Sequence, residues 1–89
     1  MAKIISENTD FKVVEVSRTE LMDKLGPLGS KGVCDFCMSE PETGYYVAVL
    51  DQWLCPKCYN EFIQNNTPDP RDNWFEDVRF AWFKRQFHI

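Results

Sequence analysis

Residues 34–58, CDFCMSEPETGYYVAVLDQWLCPKC, decide how this chain folds. They hold all four of its cysteines as two C-x2-C pairs, Cys34/Cys37 and Cys55/Cys58, with residues 38–54 between them. A two-residue spacer lets both sulfurs of a pair face one point. Two such pairs separated by about 15–20 residues complete a tetrahedron around a metal ion. All four thiols are used, so no coordination position is left for an activated water, and the expected site is one structural zinc per chain rather than a catalytic one.

The flanking residues supply the elements. Phe11 to Val16 (FKVVEV) is rich in β-branched residues and predicts a short strand. Ser17-Arg18-Thr19-Glu20 is a capping box, and Val16 with Leu21 forms a hydrophobic staple, so a helix over 18–25 follows and stops at Gly26-Pro27. Leu28 to Gly32 is a glycine-rich connector. After the first cysteine pair, Tyr45 to Leu50, a turn near Asp51-Gln52, and Trp53 to Cys55 predict a β-hairpin. Tyr59, Phe62 and Ile63 then fall at helical spacing, with Pro56 suited to a first turn, giving a helix over 56–65. Residues 65–72 (NNTPDPRD) hold two prolines and no hydrophobic side chain, which makes them a linker.

The last stretch, Asp72 to Ile89 (DNWFEDVRFAWFKRQFHI), is strongly aromatic. At about 100° per residue a helix over 72–88 gathers Trp74, Phe75, Val78, Ala81 and Trp82 on one face and Phe80, Phe83 and Phe87 on another. The Trp74/Val78/Trp82 stripe is expected to pack into the core; Phe80, Phe83 and Phe87 either are covered as well, by the amino-terminal strand and helix, or form a surface for a partner or a second copy. Lys84 and Arg85 complement the helix dipole, and His88 is expected at a frayed end.

The order of knuckle, β-hairpin and a cysteine pair in the first turn of a helix resembles the treble-clef zinc fingers over about Val33 to Asn66. The cysteine spacing is similar to that of the GATA type, which binds DNA. The resemblance implies Cys34, Cys37, Cys55 and Cys58 as the metal ligands. Where the GATA type carries arginines in the hairpin and a basic tail, this chain has Tyr45 to Val49 and Asn65 to Asp69. Two other chemistries use the same donors. Rubredoxin-like iron cages follow each knuckle with glycine, where Met38 and Tyr59 stand here, and Cys55-Pro56-Lys57-Cys58 as a redox dithiol would lack its βαβ setting and leave Cys34 and Cys37 without a purpose.

Composition narrows the class. With 44% hydrophobic and 15% aromatic residues among 89, the chain is too apolar to be disordered, and a core this small gains from a metal clamp. The formal charge is −4, and residues 34–58 carry −3 of it while 1–33 are neutral. Four thiolates around zinc lower the total to about −6, which repels polyanions. The longest apolar run, Tyr45 to Leu50, is far short of the about 20 residues of a membrane span. Residues Met1 to Asp10 carry acids and amides where a secretory leader has an apolar stretch, so a cytoplasmic protein with reduced cysteines is expected.

The combined expectation is one α+β domain over 1–89: a strand and helix in 1–32, a zinc-binding treble-clef-like unit in 33–66 and an aromatic helix over 72–88. No Ser-His-Asp set or phosphate-cradling glycine loop points to an enzyme. The expected role is protein–protein interaction, with nucleic-acid binding the alternative. An acidic inhibitor of a nucleic-acid enzyme is a third reading, resting on net charge, with Asp35, Glu40, Glu42 and Asp51 as its acidic face.

Overall fold

The computed structural model describes residues 2–5, 11–29 and 32–89. Of the connector Leu28 to Gly32, Ser30 and Lys31 lie outside the described residues, as do Met1 and residues 6–10 of the amino-terminal segment. The architecture is α+β: a four-stranded antiparallel sheet with three helices and the four cysteines drawn together.

The strands are β1 (Lys3–Ile5), β2 (Val13–Ser17), β3 (Thr43–Val47) and β4 (Gln52–Leu54), neighbours in that order. The helices are α1 (Arg18–Leu25), α2 (Pro56–Asn65) and α3 (Asn73–Phe87), with single 3-10 turns at Gly26–Leu28 and Pro70–Asp72. The pairing sets Val14 opposite Tyr46, Val13 opposite Val47 and Tyr46 opposite Trp53. Side chains alternate across a strand, so this register sorts the sheet into two buried faces. One face carries Val14, Val16, Tyr46 and Trp53 and is covered by Leu21 and Leu25 of α1 and Phe83 and Phe87 of α3. The other carries Val13, Val47 and Leu54 and is covered by Tyr59 of α2 together with Cys34, Cys55 and Cys58. The cysteine cluster is thus part of the second core.

Local chemistry explains the ends of α1. Ser17 has extended backbone and its Oγ accepts from the Glu20 amide at 3.2 Å, the expected cap. The Glu20 carboxylate reaches across to the Ala2 amide at 3.0 Å, so the cap also fastens the residue leading into β1. Val16 and Leu21 meet in the first core as the staple requires. The helix spans 18–25 as the sequence reading has it, and α2 spans 56–65 likewise.

The strands differ more from the expected bounds: β2 begins at Val13 rather than Phe11 and runs on to Ser17. The hairpin turns earlier than Asp51-Gln52: β3 ends at Val47, and residues 48–51 make the turn, with Leu50 donating to the Val47 carbonyl and Asp51 to that of Ala48, both at 3.1 Å. Asp51 takes φ 55°, a left-handed conformation that Asp tolerates, and its Oδ1 accepts from the Tyr46 hydroxyl at 2.6 Å. The apolar run Val47-Ala48-Val49-Leu50 concealed this turn. Strand β1 is an addition, three residues long, with Lys3 and Ile4 exposed and Ile5 packed against the second core, and with little sequence signal.

The Trp74 face of α3 is the reverse of the expectation. Phe83 is 0% exposed, Phe87 is buried and Phe80 packs against them, whereas Trp74 and Val78 are 72% and 63% exposed and Trp82 is 37% exposed. The Phe80, Phe83 and Phe87 surface is therefore core, and it offers no docking face. Phe83 stacks on Tyr46 with ring centroids 3.9 Å apart, and Phe87 stacks on Phe83 at 4.7 Å. Polar anchors fix the same rotation. The buried Glu76 carboxylate accepts from the Lys12 amide at 3.1 Å, Asp77 pairs with the Lys12 ammonium, and Arg79 Nη1 donates to the Val49 carbonyl at 3.1 Å. Glu76, Phe80, Phe83 and Phe87 lie along one stripe at helical spacing, which the greater aromatic bulk of Trp74 and Trp82 obscured.

Candidate metal centre

The first knuckle is built by the backbone of residues 34–39. The Cys34 amide donates to the Ser39 carbonyl at 2.8 Å, and the Met38 amide donates to the Cys34 carbonyl at 2.9 Å. This closes a tight loop in which the amides of Phe36 and Cys37 both point at Cys34 Sγ, each at 3.4 Å. The loop closes because Met38 adopts φ 65°, a left-handed conformation more readily taken by glycine.

The second pair sits at a helix start. Cys55 is the N-cap of α2, its Sγ accepts from the Cys58 amide at 3.5 Å, and Pro56 occupies the first turn, where a missing N–H costs nothing. The positive end of the helix dipole favours thiolate there.

Asp35 joins the two halves. Its amide donates to the Trp53 carbonyl and its Oδ2 accepts from the Trp53 amide, both at 2.9 Å. Trp53 stands two residues before Cys55, so this pair of bonds sets one knuckle against the other. Trp53 is itself held from the opposite core by its Nε1, which donates to the Val16 carbonyl at 3.3 Å.

All four Sγ atoms lie within 4.8 Å of one another. Cys37 Sγ and Cys55 Sγ are 3.6 Å apart, too far for a disulfide of about 2.05 Å. A tetrahedron with metal–sulfur bonds of about 2.3 Å has edges of about 3.8 Å, so the cage matches a thiolate-bound ion. Cys34, Cys55 and Cys58 are buried and Cys37 is exposed. No other group of three or more His, Cys, Asp or Glu side chains converges in this way among the described residues.

The electrostatics are uneven across the four thiols. Cys37 is lowered to about 6, first by the Ser39 hydroxyl, whose Oγ lies 3.1 Å from its sulfur, and then by the Ser39 backbone. For Cys55, burial and the Cys37 sulfur act upward, but hydrogen bonds from Cys58 and Ser39 bring it below the ordinary thiol value. Cys58 is pushed far up by burial and then by the sulfurs of Cys55, Cys37 and Cys34. Burial and the neighbouring sulfurs oppose a thiolate at Cys58, an opposition that a bound cation would offset.

The remaining candidates fall elsewhere. Asp35 and Asp51 have structural bonds, and Glu40 and Glu42 are exposed in the loop between the first knuckle and β3. His88 caps the end of α3 with φ 57° and is exposed. Asp35 and Ser39 are the supporting residues that sequence reasoning missed, though an acid directly after the first cysteine and a hydroxyl two residues after the second are visible in CDFCMS. No helix among the described residues is long and apolar enough to cross a membrane. Comparisons with protein-family models, curated proteins and solved structures find no match.

Proposed function

We propose that this chain is a non-enzymatic interaction module built around one structural zinc ion, with a treble-clef-type arrangement of knuckle, hairpin and helix. The donor set supports zinc: four cysteine sulfurs within 4.8 Å of one another, with backbone amides directed at those of Cys34 and Cys55, supply all the ligands that a tetrahedral ion takes and leave no position for water. When bound, the ion neutralises the thiolates and holds the two knuckles together. It has no role in turnover.

The observation that carries the interaction role is the outer face of α3, where Trp74, Val78 and Trp82 stand exposed at i, i+4 and i+8. Small monomeric domains seldom leave two tryptophans and a valine in one uncovered row, and tryptophan is enriched at the centres of protein interfaces. The net charge of −4 weighs toward a protein rather than a nucleic acid as the partner. Partner capture by the wild type and by a Trp74→Ala/Val78→Asp variant tests the role. The variant should keep its fold and zinc and lose capture. A partner held equally by both would move the interaction to another face.

A further inference from the structure

We infer that the exposed face of α3 is a self-complementary seam that joins two copies of this chain in an antiparallel pair. The inference rests on reading the Trp74 row as an interaction surface and names its occupant. Trp74, Val78, Ala81 and Arg85 are spaced by four, three and four residues and fall within an arc of about 60° on the helix. Three of them are exposed and Ala81 is half-buried, so the seam is open over three turns.

A twofold axis through the midpoint of this row, between Arg79 and Phe80 along the helix, maps the row onto itself. Trp74 of one copy then lies opposite Arg85 of the other, and Val78 lies opposite Ala81. The ends match chemically because a guanidinium seats well on an indole face. They also match twice, once at each end. The centre matches in volume, since the small Ala81 leaves room for the partner's Val78 and lets the helices approach to about 8–10 Å. The same axis brings both Trp82 rings to one flank of the seam. On the other flank Asp77 is already paired with Lys12 of its own chain, so the two copies do not set bare carboxylates against each other.

The area suits a weak, reversible dimer. Trp74 at 72%, Val78 at 63% and Trp82 at 37% exposure supply most of the apolar contact, and one helix face per copy places the total at or below the about 1,200 Å² lower bound of standard interfaces. Each copy carries −4, more with zinc bound, so the pair forms against long-range repulsion and through short-range apolar contact. Added salt screens that repulsion and should tighten the dimer, whereas pairing with a basic partner would weaken.

Sedimentation equilibrium of the zinc-loaded chain from about 10 µM to about 1 mM tests this over the range in which an interface of that size dissociates. The wild type should move from 10.5 kDa toward twice that mass, and more readily at high salt than at low. Val78→Asp, at an exposed position, should stay monomeric with circular dichroism and zinc content unchanged. Arg85→Glu, which removes both ring-stacked cations, should weaken association about tenfold. If Val78→Asp perturbs the fold, Trp74→Ala at the first turn of α3 provides the same comparison. A wild type that is monomeric throughout overturns the inference, as does a dimer indifferent to Val78→Asp and Trp74→Ala or one that salt dissociates. Capture of a different protein by wild-type chain that remains monomeric would overturn the self-pairing and leave the interaction role of the Trp74 row standing.

Discussion

At the scale of single residues, the structure shows side chains whose size or polarity the surroundings dictate. Gly44 lies on the first face of the sheet, and a Cβ there would stand 2.4 Å from the Trp53 ring. That ring cannot retreat, since it is buried and its Nε1 is bonded to the Val16 carbonyl. Gly44→Ala should therefore destabilise by about 1–3 kcal/mol through overpacking, measured by denaturant unfolding. Ser39 has a different role, because its hydroxyl is the main influence lowering Cys37 to about 6. A group whose folded value is depressed contributes stability in the charged form that is present at high pH and lost as pH falls through the folded value. Ser39→Ala removes that influence, so acid-induced metal release should begin at a higher pH than in the wild type. A zinc-release titration with a colorimetric chelator reads the midpoint, and an unchanged midpoint would show that the hydroxyl does not govern Cys37.

At the scale of elements, α1 was the most legible part of the sequence. Its cap, staple and stop are all local, and local signals survive into the structure because the interactions they encode span only a few residues. Ser17→Ala should cost about 0.5–2 kcal/mol, read by thermal or chemical unfolding, with the larger value favoured by the coupling of Glu20 to both Ser17 and Ala2. Helix α3 was legible as a helix and misread in rotation. Its wheel shows two aromatic stripes, and what selects between them is tertiary: the flat Tyr46 ring that receives Phe83, the Lys12 amide that receives Glu76 and the Val49 carbonyl that receives Arg79. None of these partners lies within reach along the chain. The two stripes should respond oppositely to truncation. Phe83→Ala should cost about 3–5 kcal/mol by leaving a cavity under the sheet. Trp74→Ala should stay within about 0.5 kcal/mol of the wild-type monomer, as surface changes do. Equal costs at both positions, measured below the concentration of self-association, would contradict the assigned rotation.

At the scale of the whole molecule, the sheet separates two small cores, and the cysteine cluster forms part of one of them. The four cysteine positions and the two C-x2-C spacings predicted the cage because two-residue knuckles leave little freedom in where their sulfurs point. Sequence did not disclose that Asp35 and Trp53 lock one knuckle to the other, or that Trp53 links the cage side of the sheet to the α1/α3 side. Loss of the ion should consequently spread beyond the knuckles: Tyr59, Leu54 and Val47 lose their cover when the sulfurs repel, and the strand carrying Trp53 is shared with the other core. The proposed thiolate-bound zinc would organise this fold. The most direct test of that role is elemental analysis of protein purified without added metal, followed by chelation at neutral pH under reducing conditions while circular dichroism and tryptophan emission are recorded. A ratio near one zinc per chain is expected, with cooperative loss of structure on chelation that zinc reverses, since structural thiolate sites contribute about 10–16 kcal/mol to the folding of small zinc-finger peptides. A chain purified free of metal with the same spectra, unmoved by chelator, would contradict it.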